Sequence, residues 1–333
     1  MNAAPNSFSR TARLFNWLGP FLILFFVIGL FAALLATRDV VGLKAFFSLP
    51  NYKTILTQTV IVAIGSLGMT MIIVSGGIDL SVGSVIALTS VLGAVLLKEQ
   101  YSSGVTIALC ILGGGVVGTI NGLLIAGFRM APFIITLGML GVARGVAKWL
   151  AQNQTVNSPR IPDSTVAALM HDPDLSGLTP PPGVLIVIVL ALLMAVVMGQ
   201  TIFGRHIFAL GSNEATARLC GIRTRLLKVV IYTFAGLFVG LAGVMQLSRL
   251  RQGDPTAAIG LELDIIAAVV IGGASLSGGT GSILGSMVGA LTMAVLRTGS
   301  QYMDWPNYMQ EIIIGILIIL AVGLDRFRQN RQG

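Results

Sequence analysis

The 333-residue sequence is 55% hydrophobic and 10% charged, and its mean hydropathy is +0.89. Because a soluble domain carries about 25% charged residues, this chain cannot cover a water-facing surface, which excludes a soluble enzyme or a soluble binding module. The two cysteines, Cys110 and Cys220, provide neither a disulfide framework nor a metal site. The sequence therefore predicts an all-α integral membrane protein whose outer face contacts lipid.

Ten apolar segments, taken in chain order, approach the length of about 20 residues that a helix needs to cross the hydrocarbon core. They are 17–37, 57–75, 82–97, 105–127, 133–152, 184–200, 228–248, 263–276, 282–298 and 309–325. The first segment exceeds the core of a signal peptide, about 7–15 residues long, so we interpret it as a retained helix. We expect about ten membrane-spanning helices in a single domain, 1–333, although nine or eleven would also fit the pattern.

The distribution of Lys and Arg predicts the orientation, because cytoplasmic loops are enriched in these residues. With the N-terminus in the cytoplasm, the inner side carries eleven basic and three acidic residues, and the outer side carries eight basic and ten acidic residues. We therefore expect both termini in the cytoplasm. This basic inner side accounts for the net charge of +8 without a nucleic acid partner.

Two connections are longer than the others. Residues 153–182 contain six of the twelve prolines and are expected to form an external, irregular loop. Residues 201–228 are basic and are expected to lie in the cytoplasm. Within the second loop, Asn213 is a good N-cap, Glu214 suits a helix start, and Gly221 suits the residue after a helix end. These signals predict a short helix over 213–221, which either docks into a partner groove or lies on the lipid headgroups.

A break between the second and third spans reads Gly76–Gly–Ile–Asp–Leu–Ser81. Non-helical backbone at membrane depth is tolerated only where protein or a water-filled cavity surrounds it. An ionisable residue within the membrane also suggests a functional site, so Gly76, Gly77, Asp79 and Ser81 are candidates for a translocation pathway. The alternative interpretation is that Asp79 caps the third helix at the cytoplasmic edge.

Glycines recur in two further patterns. The string Gly272–Gly–Ala–Ser–Leu–Ser277 shares four of six positions with 76–81, and Gly-interrupted segments in matching halves can mark a transport path. Glycines spaced four apart also let helices approach closely. Such spacing occurs at 114, 118 and 122, at 281, 285 and 289, at 236 and 240, and at 141 and 145.

Charged residues inside the fifth span are the remaining polar feature. Arg144 and Lys148 share one helix face, and Lys148 can reach the outer headgroups. Arg144 lies deeper, so we expect it to face protein, where it either braces a helix contact or lines a pathway.

Several enzyme signatures are missing from the sequence. It has no Gly-x-x-x-x-Gly-Lys-Ser/Thr loop for nucleotide phosphates and no His-Glu-x-x-His motif, and its two histidines, His171 and His206, lie in expected loops. We therefore expect transport rather than catalysis, with no cofactor and no metal site of its own.

Four ordered motifs resemble the permease subunit of the ribose-type monosaccharide family of ATP-binding-cassette (ABC) importers, and the resemblance extends over nearly the whole chain. The motifs are 76–83 (GGIDLSVG), 121–125 (NGLLI) with 132–138 (PFIITLG), 211–222 (GSNEATARLCGI), and 262–273 (ELDIIAAVVIGG) with 278–281 (GGTG). The sequence departs from the family at Arg297–Thr–Gly299, where the family pattern is nearer to Asn-Gly.

This resemblance implies a type II ABC importer-like bundle in the bacterial inner membrane and a set of partners. They are a second permease subunit, identical or a sister chain, two cytoplasmic ATPase subunits that use ATP and Mg²⁺, and an external sugar-binding protein. The short helix would be the coupling helix, which contacts the ATPase through Asn213, Glu214, Ala215, Arg218, Gly221 and Ile222. The pathway candidates become Gly76, Gly77, Asp79, Ser81, Asn121, Thr136 and Arg144. Candidates for docking the binding protein are Arg249, Arg251 and Glu262, in what we expect to be an outer loop.

Two other classes compete with this interpretation. A secondary transporter driven by an ion gradient can also use broken helices, but it needs intramembrane carboxylates or other ion ligands. From the sequence, Asp79 is the only carboxylate expected near the core. A membrane-embedded enzyme would need a nucleophile with a base, or a metal constellation, and the sequence suggests neither.

Overall fold

The computed structural model describes residues 7–38, 40–157, 164–171 and 179–329. Within these ranges the chain is helical apart from turns and an isolated bridge between Val156 and Gly253. The helices are α1 (Ser7–Arg38), α2 (Val40–Phe46), α3 (Leu49–Val74), α4 (Val82–Lys98), α5 (Ser103–Phe128), α6 (Pro132–Leu150), α7 (Thr165–Ala168), α8 (Pro182–Gln200), α9 (Ile202–Ser212), α10 (Glu214–Leu219), α11 (Thr224–Leu250), α12 (Leu261–Ile271), α13 (Ile283–Tyr302) and α14 (Asn307–Gln329).

Each predicted span coincides with a helix, but not all of these helices have the length to cross a bilayer. Among the described residues, seven helices are long and apolar enough: α1, α3, α5, α6, α8, α11 and α13. Helix α4 has 17 residues and α12 has 11, and the apolar stretch identified in α14 is Asn307–Leu320. The chain is therefore a multi-pass membrane protein, while the count of ten spans stays a prediction.

The expected positions of the chain termini fall partly outside the described residues, as do 158–163 and 172–178 of the predicted proline-rich loop. The structure defines two ends of the bundle without reference to a membrane. We call the end that carries α10 the α10 end. The connection between α11 and α12 and the connection between α13 and α14 leave from the opposite end.

Helices α5 and α11 pack closely through the glycines that the sequence singled out. A Cβ built on Gly118 would lie 2.1 Å from the carbonyl oxygen of Tyr232, and one on Gly236 would lie 2.3 Å from the oxygen of Gly114. The expectation of close helix packing is therefore confirmed for this pair. By contrast, no atom lies within 4 Å of a Cβ at Gly141 or Gly145.

The predicted eighth span is a half-helix, which the sequence did not reveal. Helix α12 covers Leu261–Ile271 instead of 263–276. Its Ile265 side chain packs against Gly65, which lies nine residues, or about 13 Å, before the end of α3. Gly272 lies against Gly285 near the α10 end. Helix α12 therefore begins near the middle of the bundle and ends at the α10 end.

A re-entrant segment, residues 251–260, brings the chain to that starting point. Gly253 packs against Val91 and Ala94 near the end of α4, whereas Ala258 and Glu262 lie against Gly83 in its first turn. The segment thus descends along α4 from the opposite end into the bundle. Gly253, Pro255 and Ala257 of this segment are buried, whereas Thr256 and Ile259 are exposed, and a break at membrane depth is tolerated where protein surrounds it.

Candidate functional site

The predicted short helix is present and has the expected caps. Helix α10 spans six residues, and the Asn213 side chain accepts a hydrogen bond from the backbone N–H of Thr216 at 2.9 Å. At the other end, Gly221 has a φ of +84° and donates to the carbonyl of Arg218, and Ile222 donates to the carbonyl of Ala217. Leu219 is 89% exposed, so the helix presents an apolar side chain to its surroundings.

Ion pairs hold α10 against α11. Glu214 accepts hydrogen bonds from Lys228 at 2.7 Å and from Arg218 at 3.2 Å. Burial raises the pKa of the Glu214 carboxyl, but the hydrogen bonds and charges of Lys228 and Arg218 outweigh it, and the net pKa lies below the ordinary value. The carboxylate therefore stays ionised at neutral pH and ties α10 to α11.

A small polar cavity lies between α10, the end of α5 and the start of α11. Its volume is about 180 Å³. Its lining consists of Ile125, Ala126, Arg129, Met130, Glu214, Arg218, Arg225 and Lys228. Four of these residues are cationic and one is anionic, so the region beside α10 is strongly basic, as the count of Lys and Arg predicted.

The corner between α9 and α10 is wedged between the two glycine-rich breaks. Gly279 donates its backbone N–H to the carbonyl oxygen of Val74 at 2.8 Å, so the two breaks contact each other. A Cβ at Gly211 would lie 1.8 Å from that same oxygen and 2.7 Å from the nitrogen of Gly279. Only glycine fits at 211, so the corner between α9 and α10 is in close contact with both breaks.

The first break continues into a buried polar cluster. Asp79 Oδ1 accepts hydrogen bonds from the backbone N–H of Ser81 at 2.8 Å and from its hydroxyl at 2.6 Å. The Asn121 amide donates to the Ser81 hydroxyl at 3.1 Å. Asp79 is 6% exposed and thus lies within the bundle rather than at its edge. Ser81 rather than Asp79 is the N-cap of α4, so the carboxylate stabilises the turn before the helix, and a role for Asp79 in a pathway stays a prediction.

Thr136 joins the same cluster from α6. Its hydroxyl accepts a hydrogen bond from the backbone N–H of Leu80 at 3.1 Å and lies 3.3 Å from the carbonyl of Ile78. The cluster formed by Asp79, Ser81, Asn121 and Thr136 is buried.

The two glycine strings are structurally equivalent, but in a different register from the sequence match. Gly76 has a φ of +83° and Gly273 a φ of +90°. In both places the next residue, Gly77 or Ala274, donates back to the fifth preceding carbonyl, as in a helix C-terminal motif. The equivalence is therefore offset by one residue, and Asp79 has no acidic counterpart in the second break.

Arg144 lies apart from this cluster. Its Nη1 donates hydrogen bonds to the carbonyl oxygens of Pro255 at 2.8 Å and Ala257 at 2.7 Å. Of the two roles considered for Arg144, the structure shows the bracing role, since it anchors the re-entrant segment 251–260.

The three docking candidates do not lie together in one loop. Arg249 and Arg251 are exposed at the opposite end of the bundle. Glu262 lies in the first turn of α12, where a Cβ at Gly83 would meet its Oε2 at 2.1 Å. The expectation that Glu262 occupies an outer loop is wrong, because the re-entrant segment carries it into the bundle.

Sequence reasoning missed a buried ion pair. Asp264 of α12 is 2% exposed and pairs with Arg297 of α13. The expectation that Asp79 is the only carboxylate near the core is therefore wrong. Each of these residues is a charge inside an apolar run, and that pattern could have revealed the pair, but their proximity depends on how α12 packs on α13.

Comparisons with known proteins agree with this architecture. Residues 51–322 match the family described as the permease component of the branched-chain amino acid transport system. The ribose import permease protein RbsC of Escherichia coli K12 is 37% identical over 284 residues, 85% of this chain and 88% of that protein. RbsC of Bacillus subtilis is 37% identical over 309 residues, 93% and 92% of the two chains.

The fructose import permease protein FrcC of Rhizobium meliloti is 34% identical over 307 residues, covering 90% of this chain and 84% of that protein. No solved structure matches the chain. The buried breaks and the capped helix are consistent with a transport protein of this kind. The chain belongs to the family of branched-chain amino acid transport system permease components, which includes sugar ABC import permeases and whose members transport rather than catalyse.

Proposed function

We propose that this chain is the membrane-spanning subunit of an ABC importer for a monosaccharide of the ribose, xylose or rhamnose type. It works as a homodimer or with a sister permease in the bacterial inner membrane. Two ATPase subunits bind on the cytoplasmic side and use ATP and Mg²⁺, and an external protein delivers the sugar. The observation that carries the proposal is the attachment of the capped helix α10 to both glycine-rich breaks through Gly211.

The coupling step follows from that attachment. We assign the α10 end to the cytoplasm, where α10 docks into a cleft of the ATPase with Leu219 as its apolar contact. Because Glu214 ties α10 to Lys228, closure of the ATPases moves α10 and α11 together. Gly211 transmits this movement to the breaks at Val74 and Gly279. Opening and closing of the buried cluster around Asp79 would then alternate access between the two sides.

The opposite end supplies the docking surface for the binding protein. Arg249 and Arg251 are exposed there and would steer an acidic surface into contact. Arg251 is the cleaner residue to test, because Arg249 also interacts with the charge of Arg297. We expect Arg251→Glu to lower the affinity of the complex for its binding protein, with a steeper loss at low salt. An unchanged affinity would remove Arg251 from the docking surface.

The decisive experiment is purification of the tagged chain from its native membranes in mild detergent, with its partners identified by mass spectrometry. We expect a cytoplasmic ATPase with the native chain and its loss with Glu214→Lys combined with Arg218→Glu. The matched control is Arg205→Glu, a charge reversal at an exposed residue of α9 that does not line the cavity beside α10. Absence of any ATPase with the native chain, under conditions that preserve other ABC complexes, would contradict the proposal.

The buried carboxylates of Asp79 and Asp264 favour one alternative, an ion-gradient-driven carrier. Both are engaged, Asp79 with Ser81 and Asp264 with Arg297, so neither is free to bind an ion in this state. Uptake in vesicles distinguishes the two classes. A protonophore combined with a sodium ionophore would stop a carrier driven by a proton or sodium gradient and leave uptake driven by supplied ATP.

A further inference from the structure

The Asp264–Arg297 pair lies between the middle of the bundle and the end opposite α10. Asp264 adjoins Ile265, which packs against Gly65 at about 13 Å from the α10 end. Arg297 lies nearer the opposite end, because it is close to the end of α13 and its neighbour Thr298 donates a hydrogen bond to Gln58 of α3 at 3.1 Å. Asp264 is also in the first turn of a half-helix, and such discontinuous helices surround the substrate in many transporters.

The two partners differ in exposure. The Asp264 side chain is 2% exposed, whereas the Arg297 side chain is 39% exposed. An ionised group that faces lipid at this depth is strongly unfavourable. A water-filled route, or a second subunit that encloses such a route, would give the exposed part of Arg297 polar surroundings.

Arg297 retains hydrogen-bonding capacity. Its Nη2 binds Asp264, and its Nε is buried without a partner among the described residues. A guanidinium has five N–H donors in a planar fork, so a pairing with one carboxylate leaves donors available. Asp264 holds the fork in place, and its own burial prevents it from turning away.

Neighbouring charges connect this site to the opposite end of the bundle. Arg249, near the end of α11, is close enough to Arg297 for their charges to interact, and Glu262 and Glu311 interact in the same way with Asp264. With two cations and three carboxylates, the cluster favours a neutral ligand over an anion. It extends from the docking residues towards the membrane centre.

We propose that Arg297, positioned by Asp264, is a contact site for the hydroxyl groups of a neutral polyol as it passes through the half of the bundle away from α10. Arg297 donates hydrogen bonds to hydroxyl oxygens, and the nearby carboxylates disfavour sugar acids. This assignment rests on the proposed function, since it places the transported monosaccharide at a specific point.

Cysteine labelling tests whether Arg297 faces water. The exposed native thiol is removed by Cys220→Ser, while Cys110 is buried and stays. We expect the water-soluble cation methanethiosulfonate ethylammonium to label Arg297→Cys in membrane vesicles. Leu192→Cys is the control, because Leu192 is 65% exposed in the middle of the apolar helix α8, where we expect lipid. Labelling of neither position, or of both equally, would overturn the proposal.

The loss of Arg297 leaves Asp264 buried and unpaired, which could unfold the chain. The double variant Arg297→Cys with Asp264→Asn removes that charge and keeps the labelling test valid. This measurement needs no sugar and no ATPase. It therefore decides whether Arg297 faces water even where the purification experiment contradicts the proposed function.

Specificity is tested on the complete complex with its ATPase and binding protein. Uptake of D-ribose, L-arabinose and D-fructose is compared for the native chain, Arg297→Lys and Arg297→Asn. A hydrogen bond from a charged group to a sugar hydroxyl is lost only for those sugars that place a hydroxyl at Arg297. We therefore expect the ratio of kcat/KM between two of the sugars to change by about tenfold or more. The ATPase should still co-purify with both variants. A proportional loss for all three sugars would show a purely structural pair and overturn the proposal.

Discussion

The backbone N–H of Gly279 donates a hydrogen bond to the carbonyl oxygen of Val74 at 2.8 Å, and so joins two helix breaks that are 205 residues apart in sequence. The Cα of Gly211 fits against the same oxygen. Three segments thus meet at one carbonyl, immediately before the helix that we assign to ATPase coupling. The junction is made by the backbone, because neither Gly211 nor Gly279 carries a side chain that could bind a ligand.

Gly211 is the first residue to test in this junction. A methyl group at 211 would lie 1.8 Å from the Val74 oxygen, so Gly211→Ala must displace α10 or the breaks, at a cost of about 1–3 kcal/mol. We expect a lower thermal midpoint in detergent and less uptake per ATP hydrolysed. Gly199→Ala is the control, since no atom lies within 4 Å of a Cβ there. Equal midpoints and equal coupling ratios for the two variants would mean that the junction is not mechanically important.

The contact between α5 and α11 gives a separate prediction about stability. A Cβ at Gly118 would lie 2.1 Å from the Tyr232 oxygen, whereas nothing lies within 4 Å of one at Gly127 on the same helix. We expect Gly118→Ala to lower the free energy of unfolding by about 1–3 kcal/mol and Gly127→Ala to leave it nearly unchanged. Chemical unfolding followed by circular dichroism measures both. If Gly118→Ala were as stable as Gly127→Ala, the helices would not be in such close contact.

Two substitutions at Asp79 distinguish a structural role in the turn before α4 from a role in ion coupling. Asp79→Asn keeps an oxygen that can accept from the Ser81 backbone, whereas Asp79→Ala leaves buried Ser81 donors unpaired, at a cost of about 1–3 kcal/mol. We expect the Asn variant to retain uptake with ATPase present and the Ala variant to lose folded yield on size-exclusion chromatography. Loss of uptake in the Asn variant at normal folded yield would instead support the ion-driven alternative.

Local signals in the sequence predicted some parts of this structure and not others. Hydropathy located the long helices, and the caps at Asn213 and Gly221 located α10, because both depend on neighbouring residues. The half-helix α12 was not predictable, since the polar segment 251–260 looks like an ordinary loop and only its burial against α4 shows that it re-enters the bundle. The Asp264–Arg297 pair depends on the same packing. Glu262 was misplaced for that reason.

Substitutions at Arg144 test whether its hydrogen bonds hold the re-entrant segment 251–260 in place. A single nitrogen, Nη1, donates to the carbonyl oxygens of both Pro255 and Ala257, and the shorter side chain of Lys does not bring its ammonium to the same position. We expect Arg144→Lys to weaken the anchor and Arg144→Gln to weaken it further. Hydrogen exchange followed by mass spectrometry should show faster exchange over 252–258.

The matched control for this test is Lys148→Gln, one turn further along α6, at a residue that lines a shallow cavity with Trp149 and Asn153. It should leave exchange over 252–258 unchanged, while both Arg144 variants raise it. Because segment 251–260 links the proposed docking residue Arg251 to the start of α12, a looser segment should also reduce the ATPase stimulation that the binding protein produces. Unchanged exchange in the Arg144 variants would show that packing against α4 alone holds the segment, and the two hydrogen bonds would then be incidental.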